Sequence, residues 1–432
     1  EAGGLNAMLV DSTALPEQAV RDIMVSAFQS AGQRCSALRV LYLQREIKNR
    51  VLDMLFGAMD ELCLGDPLEL TTDVGPLIDE EALNNIEGYC TEQAARGRVL
   101  KRLSVPGKGF FAPPTVIEVA GIEEVEREIF GPVLHVAAYR AQDLSQVVGA
   151  INQRGYGLTL GLHSRVDARV EQVIDQARVG NVYVNRNQIG AVVGSQPFGG
   201  EGLSGTGPKA GGPHYLARFA HRTAPALASP GIVGSIVSAA QINDWAATTD
   251  NAEQPLDLVQ VDQFLESVAP LLPANVVQVV GAIAANPREM PGPTGESNRL
   301  TLYPRGRILC LGPDKENLRL QVCQALALGN RVLAIAAQPD LPTSWHKRWP
   351  LVTMSGVISP DSLAKVRLID AVALHLPAAA LRPWREALAC RDGPIITLVS
   401  EQIAPEGFVI ERHVCVDTTA SGGNTTLLVQ AA

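Results

Sequence analysis

The sequence predicts an α/β fold, in which strands and helices alternate along most of the chain. Short apolar runs, each about four to eight residues long, alternate with longer segments whose apolar residues recur at helical spacing. Glycines separate many of these segments, as expected for turns between elements. The alternation favours an open sheet with parallel neighbours. With 432 residues, the chain is long enough for two or three domains with sizeable cores.

The first elements surround a candidate nucleophile. An apolar strand is predicted over residues 7–11, and a helix over 14–33 has Pro16 in its first turn. Gly32 is expected to end this helix, so that Cys35 follows directly in a loop. Further helices are predicted over 46–62, 79–96, 143–152 and 167–178, and strands over 132–139, 158–163 and 181–185.

Two later stretches divide the chain. Residues 189–213 are rich in glycine and predict a long loop, and loops of that length inside a domain are usually functional. A linker is predicted over 223–244, before a second α/β domain over 245–432. In that domain strands are expected over 307–311, 331–336, 371–375, 395–399 and 408–416, with a helix over 318–328. Gly312-Pro313 is only a weak signal for a dinucleotide turn, because GxGxxG is absent.

Charge and composition exclude several classes of protein. The net charge is −9 and no basic cluster occurs, which argues against a nucleic-acid partner. No apolar run reaches the roughly 18 residues of a membrane helix, and no signal peptide is visible. The seven cysteines are odd in number and form no CxxC pair, so neither a disulfide framework nor a zinc or other metal site is expected. These features favour a cytoplasmic protein, with peripheral membrane association of a longer parent left open.

Cys35 becomes a candidate nucleophile through its neighbours. A single cysteine is most often a small buried hydrophobic residue. Here Arg34 precedes it and a helix end lies close by, and a nearby cation and oriented N–H groups both favour the reactive thiolate.

Several motifs in order resemble those of aldehyde dehydrogenases over residues 1–222. The cysteine motif is Phe28-Gln29-Ser30-Ala31-Gly32-Gln33-Arg34-Cys35, and the glutamate motif is Glu1-Ala2-Gly3-Gly4. The remaining matches are Gly65-Asp66-Pro67, Glu128-Ile129-Phe130-Gly131-Pro132-Val133, Asn152 with Tyr156-Gly157-Leu158-Thr159, and Pro197-Phe198-Gly199-Gly200 with Gly202, Ser204 and Gly205.

The resemblance implies a fold and a set of roles. Residues 1–30 would be the tail of an NAD-binding domain, and 31–222 a catalytic domain with an open twisted sheet. Cys35 would attack the aldehyde carbon, and Glu1 would act as general base for thioester hydrolysis. Glu128 and Phe130 would bind the nicotinamide ribose of NAD. The preference for NAD over NADP is left open.

The glycine-rich loop resembles the aldehyde anchor loop of glutamate-semialdehyde dehydrogenases. By that resemblance Ser36, Gly190 and Ala191 would bind the α-carboxylate of L-glutamate γ-semialdehyde, and Phe198 would pack on its aliphatic chain. Glycine lets backbone donors approach an anion closely. Glu1 stands at the start of the sequence, which leads us to expect a fragment that is inactive or nearly so alone.

The segment after the linker resembles the C-terminal domain of the bifunctional proline utilization A family. That resemblance rests on Arg391-Asp392-Gly393-Pro394-Ile395, Glu411-Arg412 and Thr418-Thr419-Ala420-Ser421-Gly422-Gly423-Asn424. It implies a Rossmann-like, non-catalytic second domain, an FAD-dependent proline dehydrogenase upstream in the parent polypeptide, and a homo-oligomer. Two alternatives remain open: a dehydrogenase for another semialdehyde, such as a succinate-type one, and a non-catalytic scaffold.

Overall fold

The fold was analysed in a computed structural model, which describes residues 3–219, 234–249, 254–284 and 288–419. The chain divides into two compact units. The first comprises residues 1–205, 289–299 and 413–432, and the second comprises Thr206–Arg288 and Leu300–Arg412.

The described residues form helices and strands that alternate as predicted. The helices are α1 Pro16–Phe28, α2 Lys48–Asp60, α3 Glu80–Ala95, α4 Leu144–Gln153, α5 Asp167–Gln176, α6 Ala239–Thr248, α7 Leu258–Val268, α8 Ala274–Ala284, α9 Lys315–Ala327, α10 Thr343–Arg348, α11 Pro360–Leu363 and α12 Ala378–Ala389. The strands are β1 Ala7–Val10, β2 Val40–Gln44, β3 Val99–Arg102, β4 Thr115–Glu118, β5 Val133–Tyr139, β6 Tyr156–Gly157, β7 Thr159–His163, β8 Asn181–Val184, β9 Glu201–Gly202, β10 Arg288–Met290, β11 Glu296–Pro304, β12 Arg307–Cys310, β13 Arg331–Ala336, β14 Leu351–Ser355, β15 Ala371–Ala373, β16 Thr397–Val399 and β17 Val409–Asp417.

A ten-stranded sheet organises the first unit, in the order β10-β11-β17-β8-β7-β1-β2-β5-β4-β3. The central strands β8, β7, β1, β2, β5 and β4 pair in parallel, and β3 closes the edge antiparallel to β4. Strands β1, β2 and β8 are buried along their whole length, as parallel strands covered by helices should be. The C-terminal strand β17 pairs in parallel with β8, from His413 opposite Asn181 to Val416 opposite Val184.

The helix before Cys35 ends earlier than the sequence predicts. Pro16 occupies the first turn of α1, as expected, but the helix stops at Phe28 and not near residue 33. A short 3₁₀ turn follows, in which Ser30, Ala31 and Gly32 all have positive φ, at 55°, 53° and 65°. The left-handed region reverses the helical path, so the chain turns towards the cysteine loop.

The second unit contains a separate five-stranded parallel sheet, in the order β14-β13-β12-β15-β16. Numbered from its first strand this order is 3-2-1-4-5, which is the Rossmann-like order expected from the sequence. Alternate residues of β12 and β13 enter two cores: Ile308 and Val332 pack with α7, α8 and α9, while Leu309 and Leu333 pack with α6 and α12. The predicted α/β fold class is thus confirmed.

The boundaries of the domains stay predictions. Residues 223–233 of the predicted linker lie outside the described residues, and α6 begins at Ala239, within the predicted span of 223–244. The strand predicted over 408–416 exists as β17, and its residues 413–416 belong to the sheet of the first unit.

Candidate active site

Cys35 is half-buried in the loop that joins α1 to β2. The amide of Asn6 fixes this loop, because its Nδ2 donates to the carbonyls of Cys35 at 2.7 Å and Ala37 at 3.0 Å. The Oδ1 of Asn6 in turn accepts the N–H of Thr159 at 3.2 Å. Asn6 is 3% exposed, so these bonds are protected from water and hold the backbone of Cys35 against β1 and β7.

Glu128 lies against the chain segment that follows Glu1. Its Oε2 accepts the N–H of Gly4 at 3.2 Å, and a Cβ on Gly3 would stand only 2.5 Å from the same oxygen. Since Gly3 also has a φ of 83°, this position requires glycine. Glu1, the expected general base, lies outside the described residues.

Arg39 connects Glu128 and Phe130 with the cysteine loop. Its guanidinium forms an ion pair with the Glu128 carboxylate at 3.0 Å and stacks with its Cζ 5.1 Å from the centroid of Phe130. The same guanidinium donates to the carbonyl of Arg34 at 3.1 Å. The side chain of Glu128 is 18% exposed and Phe130 is 46% exposed, so both present surface to solvent beside the loop of Cys35.

Ser36 lies next to the start of the predicted anchor loop. Its buried carbonyl accepts a hydrogen bond from Nε2 of Gln188 at 3.2 Å, and Gln188 lies two residues before Gly190. Gly190 is exposed with a φ of 72°, and a guanidinium nitrogen of Arg34 would lie 4.0 Å from a Cβ there. The residue before the cysteine therefore brings positive charge close to the backbone that is expected to bind a carboxylate.

Residues 192–196 of the anchor loop are fixed by the hairpin of β10 and β11. The Oε1 of Gln196 accepts the N–H of Val192 at 3.3 Å, and its Nε2 donates to Oε1 of Glu296 at 2.8 Å. Arg186 forms an ion pair with Oε2 of Glu296 and donates to Sγ of Cys415 at 3.1 Å. Ala191 and Phe198 are half-buried on this loop.

The other cysteines differ from Cys35 in burial or position. Cys90, Cys310, Cys323 and Cys415 are buried, and burial raises the pKa of Cys323 and of Cys415 to about 12. Cys63 and Cys390 are exposed. Only Cys35 stands among the motif residues, so we expect the reactive thiolate there.

Some site residues were missed at the level of sequence. Asn6, Arg39 and Gln188 are buried polar side chains to which the sequence motifs assigned no role. The available signal was weak: Asn6 and Arg39 each interrupt an otherwise apolar run. A polar residue in such a run must find partners when it is buried, which marks it for inspection.

The Gly312 turn of the second unit is occupied by its own side chains. The carboxylate of Asp314 caps α9 by accepting the N–H of Asn317 at 2.9 Å, and Gln321 bonds both the N–H and the carbonyl of Gly312. A carboxylate at the helix N-terminus takes the place where a nucleotide pyrophosphate would bind. In the described part of the chain, no cluster of acidic, histidine and cysteine side chains has a metal-binding arrangement, and no helix is long and apolar enough to cross a bilayer.

Comparison with known proteins agrees with the motifs. The model of the aldehyde dehydrogenase family matches residues 1–224. The bifunctional protein PutA of Escherichia coli is 44% identical over 451 residues, which cover 99% of this chain and 33% of that protein. The 1-pyrroline-5-carboxylate dehydrogenase of Geobacillus kaustophilus is 40% identical over 221 residues, 50% of this chain and 42% of that protein. The chain thus spans about a third to two fifths of the length of these relatives.

A solved structure is also similar to part of the chain. It is a 1-pyrroline-5-carboxylate dehydrogenase from Thermus with bound NAD, 35% identical, with a TM-score of 0.47; the match covers 50% of this chain and 42% of that one.

Proposed function

The chain belongs to the aldehyde dehydrogenase family, and from this premise we propose that it oxidises L-glutamate γ-semialdehyde to L-glutamate with NAD. One observation carries the proposal. The cysteine loop is joined to Glu128 and Phe130 on one side through Arg39, and to the Gly190 loop on the other through Gln188 and Arg34. A nucleophile, a cofactor-binding carboxylate and an anion-binding loop are what this reaction requires.

The residues divide the chemistry between them. The thiolate of Cys35 adds to the aldehyde carbon, and the backbone N–H of Cys35 donates to the oxygen that becomes negative. Glu128 and Phe130 would hold NAD, which would supply the hydride acceptor for oxidation at this carbon. Glu1 takes a proton from water as the water attacks the resulting thioester, which releases the acid and returns the Cys35 thiol.

The residues around Glu128 fit the ribose of a nicotinamide cofactor. Its two oxygens are held by Arg39 and by the N–H of Gly4, and an oriented carboxylate is a good acceptor for ribose hydroxyls. The half-exposed ring of Phe130 offers an apolar surface beside it. We propose that these two side chains bind the nicotinamide ribose.

The substrate's α-carboxylate is assigned to Ser36, Gly190 and Ala191. Gly190 is exposed and has positive φ, a conformation found in anion-binding backbone turns, and Arg34 adds positive charge nearby. Phe198 would pack along the aliphatic part of the substrate. This arrangement favours an aldehyde that carries a carboxylate at its far end.

A larger assembly is part of the proposal. The match to bifunctional PutA covers both units, whereas the match to the dehydrogenase of Geobacillus kaustophilus covers half of this chain. We therefore propose that FAD-dependent proline dehydrogenase domains accompany this chain in one polypeptide, that the protein forms a homo-oligomer, and that the second unit is non-catalytic and acts as a lid or interaction domain.

The test compares two aldehydes and two cysteines. NADH formation is measured with the purified polypeptide that also carries the proposed upstream domains, since this chain alone is expected to be inactive or nearly so. Turnover should be fast with glutamate γ-semialdehyde and at least about 10-fold less efficient with succinate semialdehyde. The shorter aldehyde has one carbon fewer, so its carboxylate cannot reach Ser36 and Gly190 while its aldehyde carbon is at Cys35. Cys35→Ala should abolish turnover, whereas the exposed Cys63→Ala should not. Ser36→Ala should raise KM more than it lowers kcat.

Equal efficiency with both aldehydes would favour the broader dehydrogenase, and turnover by Cys35→Ala would exclude the proposed nucleophile. The scaffold alternative is tested by iodoacetamide labelling of Cys35 in a variant that carries Cys63→Ala and Cys390→Ala. An enzyme site should lose labelling when NAD and the semialdehyde are present, whereas a scaffold should be labelled equally with and without them.

A further inference from the structure

Arg39 is the most unusual side chain near the proposed site, because it is charged and only 1% exposed. All five of its N–H donors have acceptors. Nε and one Nη2 hydrogen are directed to Oε1 of Glu128, at 3.2 and 3.0 Å. The remaining donors bind the carbonyls of Gly32 at 2.8 Å, Gly131 at 3.2 Å and Arg34 at 3.1 Å. A buried guanidinium with complete pairing is rigid, since any movement would leave a donor unpaired.

These acceptors belong to two separate loops. Gly32 and Arg34 are in the loop that carries Cys35, and Glu128 and Gly131 are in the loop that precedes β5. The ring of Phe130 covers the guanidinium at 5.1 Å. Arg39 itself directly precedes β2, and its N–H donates to the carbonyl of Asn6 at 2.9 Å. One side chain anchored in the sheet therefore sets the distance between the two loops.

The cysteine loop needs such an anchor because its backbone is strained. Ser30, Ala31 and Gly32 are three successive residues with positive φ, and only glycine adopts this conformation easily. Conformations of this kind persist when the surrounding structure determines them. The carbonyl of Gly32, at the end of the strained stretch, is held by Arg39, and the loops meet so closely that a Cβ on Gly32 would lie 2.2 Å from the carbonyl oxygen of Gly131.

The charges around Arg39 act on Cys35 in opposite directions. Burial lowers the pKa of Arg39, while Glu128 and Cys35 raise it, so the guanidinium and a Cys35 thiolate attract each other. The Nδ1–H of His135 donates to the carbonyl of Arg39, and burial lowers the pKa of His135 to about 4, which keeps this ring neutral at pH 7. Burial also raises the pKa of Tyr183, which interacts with Cys35 as a neutral phenol. Arg39 therefore favours the thiolate, and Glu128 opposes it.

We propose that Arg39 is a positioning residue for the aldehyde dehydrogenase reaction, which holds the Cys35 loop and the Glu128 carboxylate in fixed relation and supplies the positive charge that favours the thiolate. This inference rests on the proposed function for its consequence in turnover. Its effect on the reactivity of Cys35 does not depend on any substrate.

The test measures the rate of Cys35 alkylation by iodoacetamide against pH, in the protein with Cys63→Ala and Cys390→Ala. Arg39→Met removes the positive charge and should move the midpoint of the profile up by about one pH unit. Glu128→Gln keeps an oxygen for Arg39 but removes the negative charge, and should move the midpoint down by about half a unit or more. Arg39→Lys keeps the charge but lacks the five-donor fork. Its alkylation midpoint should therefore stay close to that of the unsubstituted protein, while kcat, measured in the polypeptide that carries the proposed upstream domains, should fall at least about 10-fold.

Arg169→Met is the matched control. Arg169 pairs with Asp11 at 2.9 Å, just beyond the carboxyl end of β1, whereas the cysteine loop precedes the amino end of β2. Because β1 and β2 are parallel, these positions lie at opposite ends of the sheet, and the alkylation midpoint of this variant should not change. Circular dichroism and thermal unfolding identify variants that fail to fold. If Arg39→Met does not fold, the results for Arg39→Lys and Glu128→Gln test the proposal without it.

Opposite shifts in Arg39→Met and Glu128→Gln, or a downward shift in Glu128→Gln with a kcat loss in Arg39→Lys, support the proposal. Folded variants with unchanged midpoints and unchanged kcat overturn it. If the midpoints shift as expected but no semialdehyde is oxidised, the proposed function fails while the effect of Arg39 on the thiolate stands.

Discussion

Glu296 holds three polar side chains together at the end of the anchor loop, and its replacement by alanine should weaken both stability and substrate binding. Its Oε1 accepts hydrogen bonds from Nε2 of Gln196 and Nδ2 of Asn298, both at 2.8 Å, and its Oε2 forms an ion pair with Arg186. Gln196 and Asn298 are each 2% exposed, and the side chains of Arg186 and Glu296 are 17% and 16% exposed. The alanine variant therefore leaves a mostly buried cation and two buried amides with poorer partners.

The loss of stability in Glu296→Ala depends on the hydrogen bonds that Gln196 and Asn298 keep. Without Glu296, the Nε2 of Gln196 is left with Sγ of Cys415 at 3.5 Å, and the Nδ2 of Asn298 is left with the carbonyl of Pro291 at 3.5 Å. Breaking a buried ion pair on one side costs about 3–5 kcal/mol, and partial solvent access reduces this. We expect Glu296→Ala to lower the free energy of unfolding by about 3 kcal/mol. Because Gln196 orients the N–H of Val192, KM for the semialdehyde should rise more than kcat falls.

The stability lost in Glu296→Ala should be larger at neutral than at acidic pH. Burial raises the pKa of Glu296, but hydrogen bonds from Asn298 and Gln196 and the charge of Arg186 outweigh it, so the pKa lies below its ordinary value. A carboxylate with a lowered pKa stabilises the folded state above the pKa it has when unfolded, about 4.3, and this contribution disappears as the pH falls through the lower folded value. The difference between parent and variant in urea unfolding should therefore be full at pH 7 and shrink below about pH 4.

Glu171→Ala is the matched control, since Glu171 pairs with Arg299 of the same hairpin at 3.7 Å with side chains 60% and 36% exposed. An exposed pair of this kind contributes about 0.5 kcal/mol or less. If Glu296→Ala costs no more than Glu171→Ala, or if its effect is the same at pH 7 and pH 3, the role assigned to the buried carboxylate is wrong.

Three further predictions concern the cysteine loop and its support. Gly32→Ala should cost about 3 kcal/mol in urea unfolding and most of the turnover, because a Cβ would clash with the Gly131 carbonyl; near-parent values would contradict the tight approach of the loops. Asn6→Ala should cost about 3 kcal/mol and slow Cys35 alkylation, because a buried N–H and two carbonyls lose their partner. Burial lowers the pKa of His135 to about 4 in the folded protein, whereas in the unfolded protein this side chain takes up a proton near pH 6.5. The free energy of unfolding should therefore drop by about 2 kcal/mol between pH 7 and pH 5. The variant His135→Asn should lack this part of the pH dependence.

Much of the regular structure was predictable because single segments carry their own signals. Asp79 precedes the third helix and accepts the N–H of Ala82 at 2.8 Å, which is the cap that an acidic residue at this position predicts. The strand predicted over 331–336 coincides with β13, in which every residue after Arg331 is apolar. These features depend on residues within a few positions along the chain, so the sequence alone is enough to predict them.

The features that could not be predicted depend on contacts between residues far apart in the sequence. Nothing local distinguishes the non-glycine residues Ser30 and Ala31 as left-handed, and the contacts of Arg39 with Glu128 span 89 positions. The hairpin of β10 and β11 was missed because Arg288-Glu289-Met290 lacks the alternation of a half-buried strand. The cysteine motif was recognised, but the side chains that orient it were not, because their roles arise only when the two loops meet.

The position of β17 has a consequence for how the protein is made. Residues 413–416 complete the sheet beside residues 181–184, so more than 200 positions separate two neighbouring strands. During synthesis, β8 emerges long before its partner and presents an unpaired edge of backbone donors and acceptors, which other chains can pair with. Closing so large a loop also slows assembly. Translation that ends ahead of β17 should therefore yield material that aggregates or engages chaperones, even though all the motif residues have already been made.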